Sequence, residues 1–347
     1  MSNPADSLWD TFVENHGCGD LVQTTAWAAS KRAIGQQCEL AVVRSGGRVL
    51  GGAMLVTKRI AAEISVGYCA RGPLAEGSCA DAVDATVELA RSRGVGLLLL
   101  QAAPGDAAMD EALAARGFET GCPSVAPEAT IRLDLTKSDE ELLAAMSEMR
   151  RRNIRKALRS ELEVIEDGDV GTFQRLHAST AERQGFVAIS QAAMQAQWDL
   201  LAPLGQARIF LAWHRGVPVA GIFLTNFARV VTFKFAGWDA SSEGSRNANE
   251  ALHWQAMQWA RNTGAERYDL GGFDRKAAEI LQAGGKLDDS FSKTPGFFKL
   301  GFGGRPMLLP QARWQYLGPA AALIRPVLRG ALASKRLQRL AGRLRNG

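Results

Sequence analysis

IFLAWHRGVPVAGIFLT, residues 209–225, is the stretch whose reading decides the fold. Two apolar arms flank Arg215-Gly216, the pattern of two strands joined by a tight turn. A strand over 230–237 follows, then a helix over about 247–262 ended by Gly264, and a strand over 267–271. An earlier stretch runs in the same order. Strands 40–44 and 49–57 flank Gly46-Gly47, and a strand near 64–68 leads into Arg71-Gly72-Pro73. A helix over about 78–93 ends at Gly94, a buried strand fills 96–101, and a short helix over about 107–116 closes at Gly117. The two copies are offset by roughly 170 residues, which reads as an internal duplication. Mixed sheets with packed helices make the expected fold class α+β.

Between the copies the sequence predicts one strand and three helices. Residues 130–135 alternate apolar and polar positions. Ser138 with Glu141 forms a capping-box pattern that opens a helix running to about 159, and helices follow near 171–183 and 191–201. A basic helix over about 326–345 closes the chain. The expected division is a first domain over 1–130, a second over 131–318 and a tail over 319–347.

Of 347 residues, 46% are hydrophobic and 22% charged, which excludes a disordered, collagen-like or polytopic membrane chain. The formal charge of +5 is unevenly spread. Residues 290–347 hold eleven Lys and Arg and no acid, so the rest of the chain is mildly acidic. A basic end on an acidic body points to a polyanion as partner. The five cysteines are irregularly spaced with no C-x-x-C, as expected of free thiols in a reducing compartment. The four histidines have no metal-site spacing, and no metal is expected. The first ten residues lack the apolar core of a signal peptide, and no run of 18 apolar residues occurs. The expectation is a cytoplasmic, monomeric chain whose membrane contact is peripheral.

Three segments hold candidate chemistry. The helix after Ser138 ends in Arg150, Arg151, Arg152, Arg155, Lys156 and Arg159. Positions 152, 155, 156 and 159 share a face and suit a phosphate backbone, although cations also favour any helix C-terminus. In the tail, Ala333, Leu337, Leu340 and Leu344 oppose Arg336, Arg339 and Arg343, an amphipathic pattern suited to anionic lipid or RNA. Gly271-Gly272-Phe273-Asp274 ends an apolar strand, where bare backbone permits close approach of a ligand. Phe297-Phe298-Lys299-Leu300-Gly301-Phe302-Gly303-Gly304 places one lysine among phenylalanines and glycines, a setting in which an ammonium can stabilise an oxyanion. The plainer reading of that segment is a glycine-rich turn with an outward lysine. Asp269 and Asp274 are candidate bases near the same strand end, although aspartates there commonly cap or turn the chain.

Residues 237–318 resemble the FemABX family of aminoacyl-tRNA-dependent peptidyltransferases. The resemblance rests on Asn249-Glu250-Ala251-Leu252-His253-Trp254, on 260–264, on Tyr268-Asp269-Leu270-Gly271-Gly272 and on the 297–304 segment. Upstream, Trp27-x-x-x-Lys31, Arg71-Gly72-Pro73 and the stretch from Leu133-Asp134-Leu135 to Arg152-Asn153-Ile154-Arg155 resemble the family's elements in the same order. The lysine-rich coiled-coil arm of the bridge-forming members has no counterpart.

The resemblance implies two tandem GNAT-like acyltransferase domains. It also implies transfer of an amino acid from aminoacyl-tRNA, as co-substrate and with no other cofactor, to an amine of a cell-wall precursor or of a related cell-envelope or secondary-metabolite acceptor. By the same resemblance Lys31 and Arg246 would hold acceptor phosphates, with Arg71, Asn249, Gly271, Gly272 and Phe298 lining the substrate site. Lys299 would stabilise the reacting ester or the tRNA end, and Arg151, Arg152, Arg155, Lys156 and Arg159 would meet tRNA or phosphate. The expected place of action is the cytoplasm, with peripheral contact at the inner face of the cytoplasmic membrane open to it. Two other readings stand beside this one. The first is an N-acyltransferase using acyl-CoA or acyl carrier protein, for which no G-x-G-x-[GA] loop opening a helix is found. The second is a non-catalytic RNA- or membrane-binding scaffold.

Overall fold

The computed structural model describes residues 4–61, 64–122 and 124–318. The tail helix expected over 326–345 lies outside them. The chain opens with α1 (Pro4–Asn15) and α2 (Thr25–Arg32), where the Thr24 hydroxyl accepts from the Trp27 amide and caps the helix. A hairpin of β1 (Gln37–Ser45) and β2 (Arg48–Ala61) turns on Gly46 and Gly47, both at positive φ. Then come β3 (Ile64–Ala70), β4 (Leu74–Ala75), α3 (Cys79–Ser92), β5 (Leu97–Gln101) and α4 (Ala107–Ala115).

The second compact unit, residues 129–308, starts with β6 (Ala129–Asp134), α5 (Asp139–Ala145) and α6 (Glu148–Leu158). It continues with β7 (Leu162–Glu166), α7 (Val170–Gln184), α8 (Gln191–Leu201) and the hairpin β8 (Ala207–His214) to β9 (Val217–Phe227). It ends with β10 (Val230–Trp238), α9 (Ala248–Asn262), β11 (Arg267–Gly272), α10 (Arg275–Gln282), α11 (Pro295–Leu300) and β12 (Arg305–Leu308). The chain then returns to the first unit as β13 (Arg313–Tyr316), antiparallel to β5 with Arg313 opposite Leu100 and Tyr316 opposite Leu97.

Strand order is β1-β2-β3-β5-β13 in the first sheet, with β4 beside β2, and β12-β6-β11-β10-β9-β8-β7 in the second. The duplication is visible strand by strand. Hairpin β1-β2 matches β8-β9, β3 matches β10, α3 matches α9, and β5 matches β11. Both β3-β5 and β10-β11 are parallel pairs. Each final strand carries an antiparallel neighbour, β13 in the first sheet and β6 in the second. Both sheets bury apolar cores, with Leu55, Leu98, Leu100 and Met109 in the first and Ile131, Leu224, Leu252 and Met257 in the second.

The structure departs from the expectations in three places. The expected second domain ran to 318, but residues 309–318 go with the first unit, because β13 completes the first sheet. The single helix expected over 138–159 is two helices. Met146 is extended, and Ser147 starts afresh by accepting from the Arg150 amide. The break lets a turn of the chain press in: the Ser147 amide donates to the Gly301 carbonyl, and Gly303 packs on Ala145. Finally, the opening helices α1 and α2, the strand β4, the edge strand β7, the helices α10 and α11 and the strands β12 and β13 were not anticipated; apart from α1, with 12 residues, none is longer than eight.

Candidate active site

The two parallel pairs differ in one respect that positions a site. Five residue pairs join β3 to β5, from Val66–Leu97 to Ala70–Gln101. Only three join β10 to β11, and the ladder stops after Thr232 and Asp269. Both strands are irregular there, β10 between Phe233 and Phe235 and β11 between Asp269 and Gly272. Such bulges re-aim side chains and end pairing beside functional sites. Gly271 takes φ +71, and a Cβ on it would lie 2.7 Å from the Phe233 carbonyl oxygen, so the backbone at this point requires glycine.

Lys299, in the last turn of α11, reaches this strand end. Its Nζ donates to the Gly272 carbonyl at 2.7 Å and lies 5.6 Å from the Phe233 ring centroid. Burial holds the ammonium down at about 8, with the nearby Asp269 carboxylate opposing. The lysine is therefore a mostly protonated donor near neutral pH with an easily lost proton.

Asp269 is buried and fully engaged. It accepts from the Thr130 hydroxyl, from Arg132 Nε at 2.7 Å and from the Gly271 amide at 2.8 Å. It fastens the bulge of β11 to β6 and supplies negative charge near Lys299. Asp274 is exposed and caps α10 by accepting from the Ala277 amide. Each of these two aspartates thus holds a structural position.

Beneath Lys299 lies a buried aromatic and ionic layer. His253 on α9 is hydrogen-bonded through Nδ1 to the Tyr268 hydroxyl at 2.9 Å and sits among Phe233, Phe298 and Phe302. Burial first, then the charges of Lys299 and Arg150, push its pKa down to about 3, so the ring is neutral. Arg150, at the start of α6, is 5% exposed and pairs with Glu250 of α9 at 2.5 Å. Its Nε donates to the Phe298 carbonyl at 3.2 Å, and its guanidinium lies 4.2 Å from the Phe298 ring centroid. Asn153 Nδ2 also donates to Glu250, at 2.9 Å.

The structure thus brings Lys299, Asp269, Gly271, Gly272 and Phe298 together. Arg246 is exposed in the turn before α9, and Asn249 lies in the first turn of that helix with its Oδ1 buried and unpartnered among the described residues. Lys31 and Arg71 belong to the first unit. Lys31 is 2% exposed with its Nζ 5.2 Å from the Trp27 centroid, and Arg71 donates to the Pro127 carbonyl at 3.0 Å.

The arginine-rich helix divides its cations between two duties. Arg150 points inward, and Arg151 donates to the carbonyls of Leu143, Ala144 and Met146, closing the end of α5. Arg152, Arg155, Lys156 and Arg159 are exposed and make no ion pair with any described residue. With Glu148, Arg151 and Ser160 they line an open hollow of about 600 Å³. On sequence alone Arg150 groups with the outward cations, and Glu250 and His253 stand only within the family resemblance; none of the three is given a place under Lys299. A signal existed: Arg150 shares the buried stripe of α6 with Ile154 and Ala157, and Glu250 and His253 stand in a helix, α9, that is apolar and buried around most of its girth. A charge in an apolar stripe needs a buried partner.

With this geometry in hand, comparison with known proteins places the chain. Residues 6–92 match the sequence model of the FemAB family, and residues 144–279 match that of an acetyltransferase (GNAT) domain. The chain is FemAB-like. It is 28% identical over 220 residues to lipid II:glycine glycyltransferase of Staphylococcus aureus, across 58% of this chain and 52% of that protein. This FemAB-like chain therefore spans about half the length of the curated relatives it matches. Its fold is that of the crystal structure of FemX, with a TM-score of 0.77 at 19% identity, covering 95% of this chain and 99% of that one. A tandem GNAT protein from the clavulanic acid biosynthesis pathway aligns with a TM-score of 0.55 at 14% identity, covering 91% and 94%. Two GNAT-like units in an α+β chain are what the duplicated strands describe.

Proposed function

We propose that this chain is an aminoacyltransferase that passes an amino acid from aminoacyl-tRNA to an amine of a cell-wall precursor, forming an amide. The observation that carries the reading is Lys299, a half-buried ammonium with a lowered pKa held at the bulged end of β11. The similarity to lipid II:glycine glycyltransferase supports the acceptor class, and the unpaired cation row on α6 supports a polyanionic donor.

An aminoacyl ester is already activated, so direct attack by the amine suffices. The new C–N bond forms, the ester C–O bond breaks, and the amine's proton ends on the departing hydroxyl. Lys299 stabilises the tetrahedral oxyanion as it develops. With Asp269 and Asp274 occupied, the proton leaves the amine through water; Lys299 can give its own proton to the leaving oxygen and take up the amine's proton in its place, so that one proton passes from amine to departing hydroxyl. The remaining requirement is alignment of the two substrates. A lipid-linked acceptor, such as the one named for the staphylococcal relative, would bring the chain to the membrane surface as a peripheral protein; among the described residues no helix is long and apolar enough to cross a membrane.

The test is transfer from a pool of radiolabelled aminoacyl-tRNAs into cell-envelope precursors, with and without ribonuclease. Ribonuclease should abolish it, and Lys299→Ala should lower the rate by about 10²-fold or more while the chain stays folded. Activity that survives ribonuclease and depends on acyl-CoA would replace this reading with the thioester one.

A further inference from the structure

Lys299 is gripped from both sides by the first turn of one helix. On its N-terminal side the Phe298 carbonyl accepts from Arg150 Nε, and on its C-terminal side the Gly301 carbonyl accepts from the Ser147 amide at 2.9 Å. The packing leaves no slack: a Cβ on Gly301 would lie 2.9 Å from Arg150 Cγ, and one on Gly303 2.2 Å from the Ala145 carbonyl oxygen. Arg150 is itself anchored by Glu250, which Asn153 also holds. A buried ion pair of this kind is weak evidence for stability, since desolvating two charges offsets much of their attraction. Its geometry, however, is directed at one turn, and that turn carries the reactive lysine. We propose that Arg150 is a positioning residue: by bridging Glu250 to the Phe298 carbonyl it fixes the Lys299 ammonium at the end of β11.

This rests on the aminoacyl-transfer reading only for its rate readout. The same helix shows its unpaired cations, Arg152, Arg155, Lys156 and Arg159, on the opposite face. At about 1.5 Å of rise per residue the row spans about 10 Å and begins less than one turn beyond Arg150. One rigid helix thus fixes the distance between a docked phosphate chain and Lys299. The charged and titratable groups near the lysine are Asp269 of β11 with its partner Arg132 of β6, His253 of α9 with Tyr268, and Arg150 itself.

The experiment is competitive acylation of the folded chain with acetic anhydride across pH, with labelling at Lys299 read by mass spectrometry. Wild type should show a midpoint at about 8. In Arg150→Met and Arg150→Lys the released lysine should titrate toward the ordinary value of about 10.4. Arg150→Lys keeps the charge but cannot serve Glu250 and the Phe298 carbonyl together, so a shift there separates positioning from loss of charge. It also decides the matter if Arg150→Met fails to fold. With donor tRNA, kcat should fall about tenfold or more while the donor KM holds, the pattern of an interaction made only in the transition state. A folded Arg150→Lys with its midpoint still at about 8 and kcat unchanged overturns the proposal. If wild type transfers nothing, the transfer reading falls, and the labelling midpoint still decides the positioning.

Discussion

Protonating His253 would set a third positive charge beside Lys299 and Arg150 in a space closed by three phenylalanines. The folded chain refuses that proton until pH falls to about 3, whereas an unfolded chain accepts it near the ordinary value of 6.5. The unfolded state binds more protons between these limits, so this residue's contribution to stability is present above 6.5 and is lost as pH falls toward 3. His253→Gln keeps a hydrogen-bonding partner for Tyr268 without the titration. Its urea midpoint should drop less between pH 7 and pH 5 than that of wild type, and equal drops would remove the argument. Lys299 predicts the alkaline side. Its ammonium is the active form, so transfer should decline as pH rises through about 8, and the residual rate of Lys299→Ala should lack that limb. At this scale the sequence showed Lys299 by its phenylalanine and glycine neighbours. It hid the engagement of Asp269, which is made by Thr130 and Arg132, 139 and 137 positions away.

The two faces of α6 show what an element's own sequence can and cannot say. Its outer row of cations is a matter of spacing and was legible. The start of the helix was not, because nothing in Met146-Ser147 forbids continuing from α5. The break accommodates the 301–303 turn, which is distant in sequence and packs on Ala145 and Ser147. Gly303 at φ +80 is the tightest point, and Gly303→Ala should destabilise the second unit by at least about 1–3 kcal/mol from backbone strain alone, measured by chemical denaturation. The outer row makes its own prediction. Donor affinity should fall steeply with salt, and Arg155→Gln should flatten the slope of log K against log salt by about one while leaving the Lys299 labelling midpoint in place. A slope the substitution does not change would remove α6 from the donor site.

For the whole molecule, the second unit is an insertion into the first. Ala129 and Leu308 are ladder partners inside the second sheet, while Glu128 and Leu309 are hydrogen-bonded at 2.9 Å inside the first unit. Residues 129–308 should therefore fold alone, and residues 1–128 should not, unless 309–318 are joined to them by a short linker. Circular dichroism and hydrogen exchange on the three polypeptides would decide it. The duplication was readable because each copy contains a hairpin, a helix and an apolar strand in order. The insertion was not, because β13 is four residues long and its partner β5 lies more than two hundred positions earlier. That separation has a temporal meaning in a chain made from its N-terminus. Leu97 to Leu100, every one buried in the finished sheet, leave the ribosome with one edge unsatisfied. They await a strand synthesised about 200 residues later, about 10–40 s at ordinary elongation rates. The domain encoded second is complete first, and the earlier one is an open β-edge throughout, the state most in need of a chaperone.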